Sequence, residues 1–229
     1  MDKYTFNHDK FNTWKKCPRR YFYKYVKNLN WPEMSDDYKL GVSIHRLMDY
    51  YLRGLNVDNL VKNADKDVKE VWNNIKDYEL LNNKVVATEW GFNCRIGKSN
   101  YWLNGRIDAI FYDKAADKYI IADWKTGIIP KNPEDSFQHI IYLYAFYKCH
   151  RDLKLAIKPE NLMFKYIKVS DQIDTVSIDF SQDKILQYDE ILTAKINEIE
   201  TAANFIKNDN CEKIIRNCQY KYLCLKDTE

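Results

Sequence analysis

The sequence predicts an α/β fold in which a core of helix, three-strand meander, helix and strand is flanked by helical segments at both ends. Two observations carry this. Apolar side chains recur at the i, i+3, i+4 spacing of amphipathic helices up to about residue 80, and strand-like character takes over near Lys84. Helical spacing returns at 136–149, strand character at 160–169, and helical spacing again at 181–207. Glycine (6) and proline (5) are sparse and no internal repeat is visible, so the 229 residues read as one domain. Within it, about 84–169 is the core, 1–80 a helical N-terminal part, and 181–229 a C-terminal helix and cysteine-bearing tail.

Taken in order, residues 9–28 predict a helix in two pieces, with Phe11, Trp14, Tyr21, Phe22 and Tyr25 as its aromatic stripe. Pro18 suits the first turn of the second piece, which puts Cys17 at the junction. The basic remainder (Lys15, Lys16, Arg19, Arg20, Lys24, Lys27) reads either as a solvated face or as a nucleic-acid contact. After a polar turn around Trp31-Pro32-Glu33, Gly41–Leu55 is a second helix with Ile44, Leu47, Met48 and Tyr51 inward. His45 lies at the edge of that stripe, where a histidine is either structural or a ligand. Residues 59–80 read as a further helical stretch through Leu60, Val68, Val71, Trp72 and Ile75.

Lys84–Phe92 is β-rich, and 102–125 reads as two strands joined by the polar turn Asp113–Lys118, hence an antiparallel meander. Ser136 or Asp135 caps the helix that follows, on which Gln138 and Tyr142, four residues apart, share a face. Glu160–Val169 is a strand, and 181–207 a long amphipathic helix.

Three charges in this sheet are costly. Asp108 lies in mid-strand, and period-2 alternation puts Asp123 and Lys125 on one face with Tyr119 and Ile121, opposite Ile120, Ala122 and Trp124. Burying charge costs several kcal/mol unless it is paired or coordinates a metal. Two carboxylates facing one cavity suit a hard divalent cation, magnesium or manganese. Asp108 and Asp123 supply oxygens, with the Trp124 carbonyl and His45 available to complete the shell. A lysine two residues beyond Asp123 can orient or deprotonate a water and offset phosphorane charge, which is what phosphodiester hydrolysis requires. By itself, D-x-K also reads as a surface ion pair at a strand end.

Composition narrows the class without deciding it. Lys+Arg 36 against Asp+Glu 33 gives a net charge of +3, too small to establish a nucleic-acid partner, while 18 tyrosines offer stacking surfaces. No apolar run reaches about 18 residues and Met1–Lys10 lacks a signal pattern, so a cytoplasmic protein without a membrane partner is expected. Its six cysteines then read as thiols or metal ligands rather than disulfides. The Asn, Lys, Ile and Tyr bias points to an AT-rich genome, such as that of a phage or a low-GC bacterium.

The combination GRIDAI, IADWKTG and Gln138-x-x-x-Tyr142, with GVSIH upstream, resembles the RecB-like branch of the PD-(D/E)XK nuclease superfamily. The resemblance runs from CPRRYFYKYV (Cys17–Val26) over nearly the whole chain. It implies a restriction-endonuclease-like core, metal on Asp108 and Asp123, a catalytic Lys125, and Gln138 and Tyr142 positioning DNA or the lysine. Glu89 stands where such proteins often carry an acid on the first strand, and its role is left open. Many members, CRISPR-associated exonucleases among them, carry a 4Fe–4S cluster on four cysteines. By that resemblance the ligands here are Cys17, Cys218 and Cys224, with Cys211 replacing the usual middle cysteine, whose position is Ile215. Zinc on the same thiolates and buried free thiols are the alternatives; Cys94 and Cys149 look like core positions. Arg19, Arg20, Tyr21 and Tyr23 offer cations and rings for a strand. The expected activity is a metal-dependent exonuclease on single-stranded DNA or DNA ends, in recombination, repair or CRISPR adaptation. A structure- or sequence-specific endonuclease of the same fold, or a nuclease subunit active only with protein partners, stays open. Polarity and oligomeric state are not readable.

Overall fold

The computed structural model describes residues 4–29, 36–130, 132, 136–170, 172–208 and 218–226. The expected turn at Trp31-Pro32-Glu33, the alternative cap Asp135, and Cys211 lie outside them. The chain opens with β1 (Thr5–Phe6), α1 (His8–Lys16) and α2 (Pro18–Tyr21), which runs on into a π-helical turn, Phe22–Val26. Then come α3 (Asp36–Leu52), α4 (Asp58–Lys62), α5 (Lys66–Ile75), β2 (Lys84–Arg95), β3 (Trp102–Asp113), β4 (Lys118–Lys125) and α6 (Phe137–Cys149). The rest is β5 (Leu162–Val169), β6 (Ile173–Asp179), α7 (Gln182–Glu200) and α8 (Lys221–Lys226).

The helix, meander, helix, strand order is present as expected, and two strands join it. The sheet of six strands runs β1-β3-β4-β5-β6, with β2 also paired to β3. β2, β3 and β4 are antiparallel, and α6 carries the chain to β5, which lies parallel to β4. β1, at two residues, is too short to show a period, and β6 is an edge strand whose pattern is mostly polar. The 59–80 stretch divides at Asp65, an extended residue before α5. The last long helix ends at Glu200, although Phe205 beyond it still packs on Trp14 and Phe22. No helix among the described residues is long and apolar enough to cross a membrane.

Both faces of the sheet are covered. Ile107, Ile110, Ile121 and Phe164 pack with α1, α6 and α7, and Ala109, Phe111, Ile120, Ala122 and Trp124 pack with α3 and α5. The mostly apolar α6 is thus a buried helix, started by the Ser136 hydroxyl accepting from the Gln138 N–H. Along β3 the alternation breaks at Asp108: Ile107 faces α6, whereas Ala109 and Phe111 face α3. Glu89 in β2 accompanies this break, with φ at 45°, left-handed backbone in the middle of a strand. Such conformations cost on the order of 1–3 kcal/mol and concentrate at functional sites.

One edge of β3 is paired along its length by β2. The other edge is shared: β1 takes Trp102 and Leu103, β4 takes Ala109 to Asp113, and the residues between have no strand on that side. The side chains of Asp108, Asp123 and Lys125 gather at this fork. Gly105 lies within it, and a Cβ there would stand 2.6 Å from the Phe92 ring, which Tyr142 backs in turn. Gly105→Ala should therefore lower stability by about 1–3 kcal/mol, read as a fall in thermal midpoint. Gly91→Ala, with no atom within 4 Å of its Cβ, is the matched control.

Candidate active site

Where β3 and β4 part, a side chain replaces the ladder bond. The Asp108 carboxylate accepts the Trp124 N–H through Oδ2 at 2.9 Å. Its other oxygen lies 3.3 Å from His45 Nδ1, and His45 Nε2 is 3.1 Å from the Trp124 carbonyl. Both partners of the imidazole are hydrogen-bond acceptors, a setting that favours its protonated form. Burial opposes that charge, but the hydrogen bond and charge of Asp108 outweigh it and raise the His45 pKa.

Asp123 is buried on the opposite side of β4. Its Oδ1 accepts from Gln138 Nε2 at 2.5 Å, and its Oδ2 lies 2.7 Å from Lys125 Nζ. Burial drives its pKa up, Lys125 pulls it back, and the negative charge of Asp108 adds to the rise. Gln138 thus fixes the Asp123 carboxylate, and Tyr142, four residues on along α6, is buried on the same face. Burial holds the Tyr142 phenol above its ordinary pKa.

The motif residues Asp108, Asp123, Lys125, His45, Trp124, Gln138 and Tyr142 thus meet at one place. Among the described residues, the group of three donors close enough for one ion is His45, Glu89 and Asp108, with ligand atoms within 4.8 Å of one another. Glu89, whose role the sequence leaves open, joins through its unusual backbone, and Asp123 stays with Lys125 and Gln138. Burial and then the Asp108 charge raise the Glu89 pKa, and Arg106, 3.3 Å away, opposes this. One imidazole and two carboxylates fit manganese or magnesium in donor type.

Sequence reading missed His8. The parallel β1–β3 pair delivers it to the fork, where its ring meets Tyr142 edge-on at 5.7 Å. Its Nδ1 is buried without a hydrogen-bond partner; burial and then Lys125 lower its pKa to about 4, so the ring is neutral. A two-residue strand leaves no pattern that would have exposed this.

The remaining candidates fall elsewhere. Tyr21 and Tyr23 are only 5% and 4% exposed, packed on Trp14 and Tyr220, which corrects the expectation that they offer rings to bases. Arg19 and Arg20 flank them on α2, where the Arg19 N–H meets the Ile206 carbonyl. Cys17 is buried at the α1–α2 junction, Cys218 and Cys224 lie at and within the C-terminal helix, and Cys211 is outside the described residues. Cys94 is buried in the core beside α6, and Cys149, at the end of α6, packs partly buried against it.

A divalent cation should raise the thermal midpoint of the wild type, because a ligand that binds only the folded state stabilises it. The raised pKa of His45 keeps it protonated, and closed to metal, to higher pH. The manganese-induced rise should therefore be smaller near about pH 6 than near about pH 8. Asp108→Asn can still accept the Trp124 N–H and removes a charge that repels Glu89 and Asp123. It should fold normally and lose the manganese effect; a full metal shift in that variant would count against the donor set.

The family model for the PD-(D/E)XK nuclease superfamily matches residues 5–225. A structure described as a "Putative exonuclease" from Eubacterium rectale aligns with a TM-score of 0.53 at 12% identity, over 94% of this chain and 88% of its own. At that identity the likeness shows the fold. The protein SSO0001 aligns over 98% of this chain and 87% of its own, at 18% identity and a TM-score of 0.45. No curated protein matches the sequence.

Proposed function

This chain belongs to the PD-(D/E)XK nuclease superfamily, and from its site we propose that it is a metal-dependent deoxyribonuclease acting on single-stranded DNA or DNA ends. The observation that carries the reading is the juxtaposition of the His45–Glu89–Asp108 donor group with a lysine ammonium set on a buried carboxylate. A divalent cation held there supplies a Lewis acid for the phosphate and lowers the pKa of a water. The protein's own groups do the rest. Lys125, 28% exposed at its side chain, keeps one side open to substrate while Asp123 holds the other. Its charge sits where the phosphorane oxygens become more negative, or its amine orients the attacking water. Gln138 keeps Asp123 from turning, which fixes the lysine in turn, and the buried Tyr142 closes the same face of α6.

What favours an exonuclease over a site-specific endonuclease is the fold neighbour from Eubacterium rectale, whose printed description is "Putative exonuclease". Recombination, repair or CRISPR adaptation, with protein partners from those processes, is the setting that the resemblance suggests. Incubation with end-labelled linear strands, linear duplex and closed single- and double-stranded circles, in magnesium or manganese, tests this. Linear DNA alone should be degraded, and Asp108→Asn and Lys125→Ala should each lose at least about a hundredfold in rate. Cutting of circles would make it an endonuclease; full activity in Lys125→Ala would remove the lysine from the chemistry.

The 4Fe–4S reading extends to Cys17, Cys211, Cys218 and Cys224, with zinc as the competing occupant. What supports it is the way the C-terminal segment lies on the N-terminal helices. Asn208 donates to the Lys16 carbonyl beside Cys17, Tyr220 donates to the Leu29 carbonyl, and Tyr23 packs on Tyr220. Anaerobically purified protein should absorb in the visible range and carry about four irons. Cys17→Ala should lose metal and thermal stability together; unchanged metal content and stability would defeat the cluster.

A further inference from the structure

A cleft of about 740 Å³ opens from the donor group along one face of α3. Tyr38, Val42, His45, Arg46, Asp49 and Arg53 line it at intervals of one to four residues, a stripe roughly 22 Å long at the rise of an α-helix. Glu89, Arg106 and Asp108 close the far wall.

Its charges are balanced in a particular way. Three arginines, Arg46, Arg53 and Arg106, share the cleft with three carboxylates, Asp49, Glu89 and Asp108. Arg53 lies 2.8 Å from Asp49 and Arg106 lies 3.3 Å from Glu89, while Arg46 is exposed with no ion pair among the described residues. A polyanion gains little from a cleft whose formal charges cancel. Two of those carboxylates, Glu89 and Asp108, also belong to the group that fits a divalent cation. Occupying it adds two positive charges to the same cleft and draws Glu89 away from Arg106, whose guanidinium is then free to fork onto a phosphate. Tyr38, at 58% exposure, offers a ring face at the far end. Stacking on it requires an unpaired base.

We propose that this cleft seats a single nucleic-acid strand, with phosphates on Arg46, Arg53 and Arg106 and a base on Tyr38, and that it takes up the strand only once a divalent cation occupies the donor group. The proposal rests on the nuclease reading and adds to it the track, the strandedness and the order of assembly.

Fluorescence anisotropy of a labelled oligothymidylate with the whole chain, in calcium and in chelator, tests it without turnover. Oxygen donors accept calcium as they do the catalytic cations. Wild-type binding should be at least about tenfold tighter in calcium. Arg46→Ala breaks no described ion pair and is the decisive variant. It should weaken binding in calcium and lower the slope of log affinity against log salt by about one, as should Arg106→Ala. Tyr38→Ala should cost about fivefold or more for the single strand. Lys114→Ala, on the β3–β4 turn, should bind as wild type. Equal affinity in chelator, an unchanged salt slope in the Arg46→Ala/Arg106→Ala double variant, or equal competition by closed duplex would each overturn the proposal. If any of these occurs while wild type still degrades DNA, the cleft assignment falls and the nuclease stands. If calcium-gated binding holds but no cleavage is seen with magnesium or manganese, the cleft stands and the catalytic reading falls.

Discussion

The structure turns on a single substitution of one kind of hydrogen bond for another. Where β3 and β4 diverge, the Trp124 N–H would lose its ladder partner, and the Asp108 carboxylate accepts it instead. A buried peptide group must be satisfied somewhere, and here that requirement fixes an acid in the middle of a sheet. The same carboxylate lies against His45, and through His45 the Trp124 carbonyl is held as well. The fork, the break in side-chain alternation along β3 and the left-handed backbone of Glu89 are one distortion viewed from three residues.

The distortion brings carboxylates closer than a fold selected for stability would allow. Asp108 is among the causes of the raised pKa at both Glu89 and Asp123. Lys125 and Gln138 relieve Asp123, Arg106 relieves Glu89, and His45 lies against Asp108. Each relief is partial and reversible, so a cation meets a site already arranged to exchange a proton or an arginine for it. A site of this kind trades stability for binding capacity.

Much of this was legible in the residues. The strand-to-helix rhythm located the core, and a mid-strand acid followed by acid-x-lysine marked the site, because buried charge is too costly to place there idly. The i, i+4 spacing of Gln138 and Tyr142 gave their shared face, from which Gln138 reaches Asp123. What escaped depends on backbone geometry or distant pairing. Glu89 was visible as an acid, but only its positive φ aims it at His45 and Asp108. His8 reaches Tyr142 through a parallel pair between residues nearly a hundred positions apart. Tyr21 and Tyr23 looked like stacking rings, and their burial depends on Trp14 and on Tyr220 at the far end of the chain.

The N-terminal helices are held in place by segments from the other end of this sequence. Trp14 donates to Glu198, the Arg19 N–H meets the Ile206 carbonyl, and Tyr220 donates to the Leu29 carbonyl. α1 docks on α6, where Phe11 stacks on Phe137, and α7 and the segment after it close over the same helices. Contacts of such sequence separation close late. The β2–β3–β4 meander is local in sequence and can therefore form before the wall of the site that carries His8 is closed on it. Completion of the site thereby waits on contacts between segments far apart in the sequence, so a partly folded chain has its sheet before it has a finished site.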